Sequence, residues 1–301
     1  ILATGSGSVY DFHFINAQTG YLCGTSTLKL QKTTNGGLNW VQVPNLGTTT
    51  LYSVYASDTN NIFLTSTSGN IYFTTNAGVN WTTSNVGTTS TLYDSKWINA
   101  TTGYLCGSSG CFRYTTNGGA NWQGTNPPTT GTMQRILVSG STIYVGGFDQ
   151  VNIYSTTDIG TTWNTIPFAA SGQYSTFNIY SMDIVGSTIL VGGTYGLMNK
   201  STNAGANWVT ATSHTTVANM VDVYASSGNG RVIAIGSNTG GLDACVYSTN
   251  GGTTWSRGTG AVPNNVLSDL SMRNSTTGYV VGRFGIFWKT TNGGVTWDTS
   301  R

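Results

Sequence analysis

All ten acidic residues of this 301-residue chain are Asp; it contains no Glu. Four of them, Asp11, Asp94, Asp222 and Asp269, fall at one recurring level of similar apolar–polar segments, which Ser53, Arg135 and Ser181 complete. Two carboxyls held about 5–5.5 or 6.5–9.5 Å apart can hydrolyse a glycosidic bond. Asp11 with Asp269 or Asp94 are the pairs to consider. A calcium ion wants six to eight oxygens, more than these few carboxylates supply, so no metal and no cofactor is expected. His13 and His214 lie far apart without a second ligand at metal spacing, and read as a strand residue and a loop residue. There is no Gly-x-Ser-x-Gly elbow to present a nucleophile, and the recurring TNGG reads as a turn, not a phosphate loop. Cys106 and Cys111 flank GSSG and could face each other across a hairpin as a disulfide. The alternative is two small apolar strand residues. Cys23 and Cys106 share one repeat position (TGYLCG) and should not meet.

What must position these side chains is a repeat. The nonapeptide KTTNGGLNW, residues 32–40, returns in six further variants ending at Trp81, Trp122, Trp163, Trp208, Trp255 and Trp297. Spacings of 41 to 47 residues are the mark of a repeat architecture. In residues 51–84, LYSVYA, NIFLTS, IYFTT and VNWTT alternate in the manner of strands and are separated by turn residues, which predicts four short antiparallel strands, A to D. Turns recur between A and B at Asn16, Asn99 and Asn274. The nonapeptide then spans the C–D turn. Asn35, Asn76, Asn117, Asp158, Asn203, Asn250 and Asn292, five before each Trp, can fold back onto backbone amides. Asn-Gly in this setting signals a hairpin, because both residues tolerate φ > 0. The Ser or Thr seven before each Trp can bond across the turn, and the Gly three before it admits a strained backbone. Each copy is therefore a clip that fixes one hairpin.

One four-stranded sheet cannot bury both faces, so seven repeats predict an all-β, seven-bladed β-propeller in a single domain. Its blades run over residues 1–45, 46–86, 87–127, 128–168, 169–212, 213–259 and 260–301. Tyr10, Phe12, Phe14, Tyr52, Val54, Tyr93 and Trp97 are expected in the layers between blades.

The motif Ser/Thr-x-Asp-x-Gly-x-x-Trp resembles the Asp-box, or BNR, repeat of sialidase-like propellers, with Asn for Asp in six of the seven copies. With its TGY turn, the unit looks most like the propellers of photosystem II stability/assembly factors and of related secreted bacterial surface proteins. The resemblance implies that the clips are structural and lie away from the ligand face. That face would be the channel mouth and its loops, giving the candidate binding residues Asp11, Asp94, Arg135, Phe148, Asp149, Tyr195, Asp222, Asp269 and Arg283. The competing reading is that the Asp and Ser residues satisfy the unpaired edge of each blade. Sialidases use a Tyr–Glu pair, which a chain without Glu cannot form.

Only 7% of residues are charged, against about 25% in an average domain, and the net charge of +2 gives no footing for nucleic acid. No apolar run approaches the roughly 18 residues of a membrane helix. The opening ILATGSGSVY, without Met or signal peptide, reads as a mature or trimmed product. A composition rich in Gly, Thr and Asn suggests an extracellular or cell-surface setting. The expectation is a non-enzymatic interaction or scaffold module with a protein partner. A glycan-binding propeller is the alternative, and a glycosidase or a photosystem assembly factor ranks lower.

Overall fold

The computed structural model describes residues 7–148, 152–167, 178–210, 219–237, 245–260, 266–283 and 286–298. Short β-rich runs separated by turns fold locally into hairpins, and each repeat becomes one antiparallel sheet with strands in chain order. The first sheet is Val9–Phe14, Gly20–Gly24, Leu30–Thr33 and Val41–Gln42. The later sheets open on Leu51–Ala56, Leu92–Trp97, Thr132–Ser139, Ile179–Val185, Asn219–Ala225 and Leu267–Met272. The fold is a seven-bladed β-propeller, with a short 3-10 turn at Thr194–Gly196.

Four strands per blade holds for five sheets; the third and seventh have three. In the third, the fourth strand shrinks to one bridge, Tyr114 with Gln123. The chain there runs into GTNPPTT, and Pro127 and Pro128 have no N–H to give a ladder. In the seventh, Lys289 bridges Asp298, the last described residue.

The chain groups into two compact units, one holding the first three sheets and the other most of the last four. Within each, apolar residues of one sheet pack on those of the next. In the first unit Tyr21, Cys23, Leu30 and Val43 close on Leu51, Val54, Ile62 and Leu64. In the second, Leu137, Tyr144 and Ile153 close on Ile179, Met182 and Val191, and Ile233, Ile235 and Cys245 on Leu267, Leu270 and Val280. These cores lie between sheets, so no sheet has a hydrophobic core of its own.

Of the residues expected in the layers, Phe12, Val54 and Trp97 are buried, while Tyr10, Phe14, Tyr52 and Tyr93 are only partly covered. The three tyrosines are displaced by a β-bulge. Val9 pairs with Gly24 and Asp11 with Cys23, leaving Tyr10 without a ladder partner. The same interruption falls between Leu51 and Ser53, Leu92 and Asp94, Ile179 and Ser181, Met220 and Asp222, and Leu267 and Asp269. An extra residue in one strand breaks the alternation that would have turned it inward.

All seven clips are formed, and they agree in detail. In the first, the Thr33 hydroxyl donates to Asn35 Oδ1 (3.0 Å) and accepts from the Gly37 amide (3.0 Å), while Asn39 N donates to Asn35 Oδ1 (2.9 Å). The amide of the residue after Asn is spent on the A–B turn of the same blade: Gly36 on the Gln18 carbonyl (2.9 Å), Gly118 on Thr101 (2.8 Å) and Gly293 on Thr276 (2.7 Å). The two left-handed residues are the pair after Asn. They include Ala77, Ala204 and Ile159 (φ 58°) ahead of their glycines. Asn instead uses its side chain, which is why Asp158 can replace it.

The disulfide is not made. Cys106 pairs with Phe112, so Cys111, one residue before, faces the other side of the sheet, where it packs with Leu105 and Leu92. Cys106 points toward the Met133 carbonyl, and all four cysteines are free and buried. Burial pushes both the Cys106 and the Cys111 thiol up.

Three outcomes are expected. A Cβ on Gly205 would collide with Ile166, whereas one on Gly119 makes an ordinary 3.4 Å contact with Phe63; both glycines have φ near 90°. Gly119→Ala should therefore cost about 1–3 kcal/mol through backbone strain, and Gly205→Ala measurably more, read by urea denaturation of the two variants side by side. A β-branched residue in the left-handed region is strained by about 1–2 kcal/mol, and Asn tolerates that region. Ile159→Asn should consequently raise the melting temperature. The hydroxyl of Thr162, then its amide and the Thr156 hydroxyl, hold the exposed Asp158 carboxyl down to about 2 from an ordinary 3.8. A depressed carboxyl lends stability above its unfolded pKa and loses it as pH falls toward the folded value. The melting temperature should fall more steeply between pH 4 and pH 2 in the parent than in Asp158→Asn.

Candidate functional site

The first strand of each sheet is an edge strand, and the row of its amides that faces away from the second strand has no partner in its own ladder. The candidate carboxylates take that place. The Val54 amide donates to Asp11 Oδ2 (2.7 Å), from the second sheet to the first. Asp94 accepts the Ile136 amide on Oδ2 (3.0 Å) and the Ser95 amide on Oδ1 (2.8 Å). Asp222 repeats this with Leu270 (2.8 Å) and Val223 (2.9 Å). Where the level holds serine the seam is still bonded: Ser53 Oγ lies 3.0 Å from Ser95 Oγ, and the Ser181 hydroxyl reaches the Met220 carbonyl (3.5 Å). In six sheets the level residue directly follows the bulge, which aims it across the seam.

Sequence reasoning missed Asp183. Its Oδ2 accepts the Ala225 amide (2.6 Å) and its Oδ1 the Ile184 amide (2.8 Å). It stands two residues beyond Ser181, on the same side of the strand. Its legible signal was the lone acid on a strand whose level position holds serine.

Burial pushes the Asp94 carboxyl up, and Arg135 and the accepted amides oppose that. The Arg135 guanidinium also lies 3.5 Å from the Gln134 carbonyl. His13 sits against Tyr55, centroids 5.2 Å apart, and burial lowers its pKa; His214 lies outside the described residues.

The loop candidates belong to different sheets. Phe148 ends the strand Thr142–Phe148 and meets Tyr180 edge-on at 4.9 Å. Asp149 lies outside the described residues. Tyr195 is 58% exposed with φ 56°, an unusual conformation for an aromatic residue, and its amide donates to Asn219 Oδ1 (3.3 Å). Arg283 is exposed just past Gly278–Gly282, and Asp269 follows the bulge of the seventh sheet.

A second set shares the level of the bulges. Tyr10, Tyr52, Tyr93 and Tyr180 are the residues without ladder partners in the first, second, third and fifth sheets. Tyr10 and Tyr52 are parallel at 5.4 Å, and Tyr52 meets Tyr93 at 5.1 Å and 74°. Chemically, the carboxylates act as seam acceptors, and the aromatic groups are what the first strands leave uncovered.

Removing a charged acceptor that serves two amides should be felt in stability. Asp222→Ala should cost about 1.5–3 kcal/mol. Asp222→Asn should also destabilise, because its NH₂ would face an amide donor. Unchanged denaturation midpoints for both variants would contradict the seam assignment.

Residues 80–257, more than half of the chain, match the family described as photosynthesis system II assembly factor YCF48. No curated protein sequence matches. Among solved structures, a YCF48 bound to a D1 peptide is 18% identical, with a TM-score of 0.76 over 97% of this chain and 96% of its own. YCF48 from Cyanidioschyzon merolae is 16% identical, with a TM-score of 0.74 over 95% of each chain. A GH74 xyloglucanase from Xanthomonas campestris shares 11% identity at a TM-score of 0.58, over 96% of this chain and 66% of its own. At such identities these likenesses establish the fold alone. The extent of the family match settles the kinship: this chain belongs to the YCF48 family of photosystem II assembly factors.

Proposed function

We propose that the chain is a non-catalytic protein-interaction module that holds a segment of a partner protein. One observation carries this reading: the carboxylates best placed for chemistry are engaged by backbone amides across the seams. A general acid or nucleophile must be free to meet substrate. Both oxygens of Asp94 and Asp222 accept amides already. The D1 peptide bound by a YCF48 of the same fold supports a peptide as the kind of ligand such a propeller can hold. The family supports a role in assembling a larger complex. An extracellular setting rests on composition alone, the low charge and the absence of Glu. Among the described residues no helix is long and apolar enough to cross a membrane.

The purified protein should turn over none of a panel of fluorogenic glycosides, while chemical cross-linking in its native source should recover a defined protein partner. Glycoside turnover that Asp11→Asn or Asp269→Asn abolishes without altering the melting temperature would overturn the non-catalytic reading.

A further inference from the structure

We propose that Asn229 is a self-modification site: it converts to aspartate or isoaspartate without an enzyme, while the clip asparagines that share its dipeptide are held back by their hydrogen bonds.

Five Asn-Gly pairs occur in the chain, at Asn35, Asn117, Asn229, Asn250 and Asn292. Asn is a thermolabile residue, and a following Gly places no side chain beside the reacting amide. In the proposed step the Gly230 amide nitrogen loses its proton to hydroxide and attacks Cγ of Asn229. A bond forms between that nitrogen and Cγ, the Cγ–Nδ2 bond breaks, and Nδ2 leaves as ammonia with a proton from water. A second water opens the cyclic imide at either carbonyl. One opening gives aspartate; the other gives isoaspartate, with the main chain rerouted through the side chain. In balance one water is consumed, one ammonia is released, and a neutral amide becomes a carboxylate.

The nucleophile separates the five pairs. In the four clips the Gly amide already donates to a carbonyl: Gly36 to Gln18, Gly118 to Thr101, Gly251 to Gly230 and Gly293 to Thr276. Each clip Asn Oδ1 also accepts one hydroxyl and one amide. A clip must open before it can react. The Gly230 amide, by contrast, has no acceptor among the described residues, and Asn229 Oδ1 accepts only the Arg231 amide (3.0 Å). Exposure does not account for the difference, since Asn117 and Asn250 are exposed as Asn229 is. Nor does the backbone: Gly230 has φ 66°, and Gly36, Gly118, Gly251 and Gly293 have 67°, 69°, 69° and 69°.

Conversion at Asn229 reaches the clip of its own sheet. The Gly230 carbonyl is the acceptor that ties down the Gly251 amide (2.7 Å). Isoaspartate at 229 adds a carbon to the main chain immediately before Gly230 and displaces that carbonyl. The Gly251 amide is then released, and Asn250 becomes the second residue to convert.

The test is peptide mapping by mass spectrometry of the native protein held in mildly alkaline buffer, beside the same protein unfolded in urea. In urea all five pairs should convert at comparable rates. In the native protein Asn229 should convert first, whereas Asn35, Asn117 and Asn292 should slow by about tenfold or more relative to urea, because local opening must precede reaction. Asn250 should follow Asn229 after a lag. In Asn229→Gln, whose longer side chain closes the ring poorly, Asn250 should slow to the rate of Asn117. Native clip asparagines that convert as fast as Asn229, or an Asn229 as slow as they are, would overturn the proposal. Equal rates for Asn250 in the parent and in Asn229→Gln would overturn the link from turn to clip.

Discussion

The first strand of each sheet has a row of amides that its own sheet cannot satisfy. A buried amide without an acceptor is costly, and an exposed strand edge invites pairing with another chain. Here the neighbouring sheet supplies the acceptor as a side chain, from Asp11 to Val54, Asp94 to Ile136, Asp183 to Ala225 and Asp222 to Leu270. The apolar layers follow the same logic, since each core is shared by two consecutive sheets. Polar and apolar terms therefore act across the same seams, and each sheet depends on its neighbour for both.

Within a sheet the clip does the corresponding work at the other end of the hairpin. One hydroxyl and one side-chain carbonyl satisfy the amides of a turn that would otherwise need water. The next amide ties the C–D turn to the A–B turn, as Gly118 does to Thr101. Because Asn suffices for this geometry, six clips carry no titratable group, and Asp158 is the exception.

The repeat, the clip and the level of the carboxylates could be read from the chain because each depends on spacing within a few residues. The bulge could not. It adds one residue to one strand, and alternation of apolar and polar positions looks the same with or without it until the register is known. That single offset explains why Tyr10, Tyr52 and Tyr93 were expected inside and lie partly outside. It also accounts for the aim of Asp11 and Asp94 across a seam. The pairing of Cys106 with Phe112 rather than Cys111 is likewise a matter of register. The lost fourth strand of the third sheet was legible in Pro127 and Pro128, but the strength of the repeat masked it.

The bulge position also has a consequence for how such a chain can change. A core residue answers to two sheets, and a clip residue answers to several hydrogen bonds. The bulged residue answers to no ladder partner: Tyr, Val and Ser all occupy it in this one chain. Six sheets thus contain one position at which residues of different size and chemistry are accommodated. A gene that duplicates such units inherits a set of variable addresses at a regular pitch. New recognition can be composed there one blade at a time, while the seams and clips keep the molecule in register.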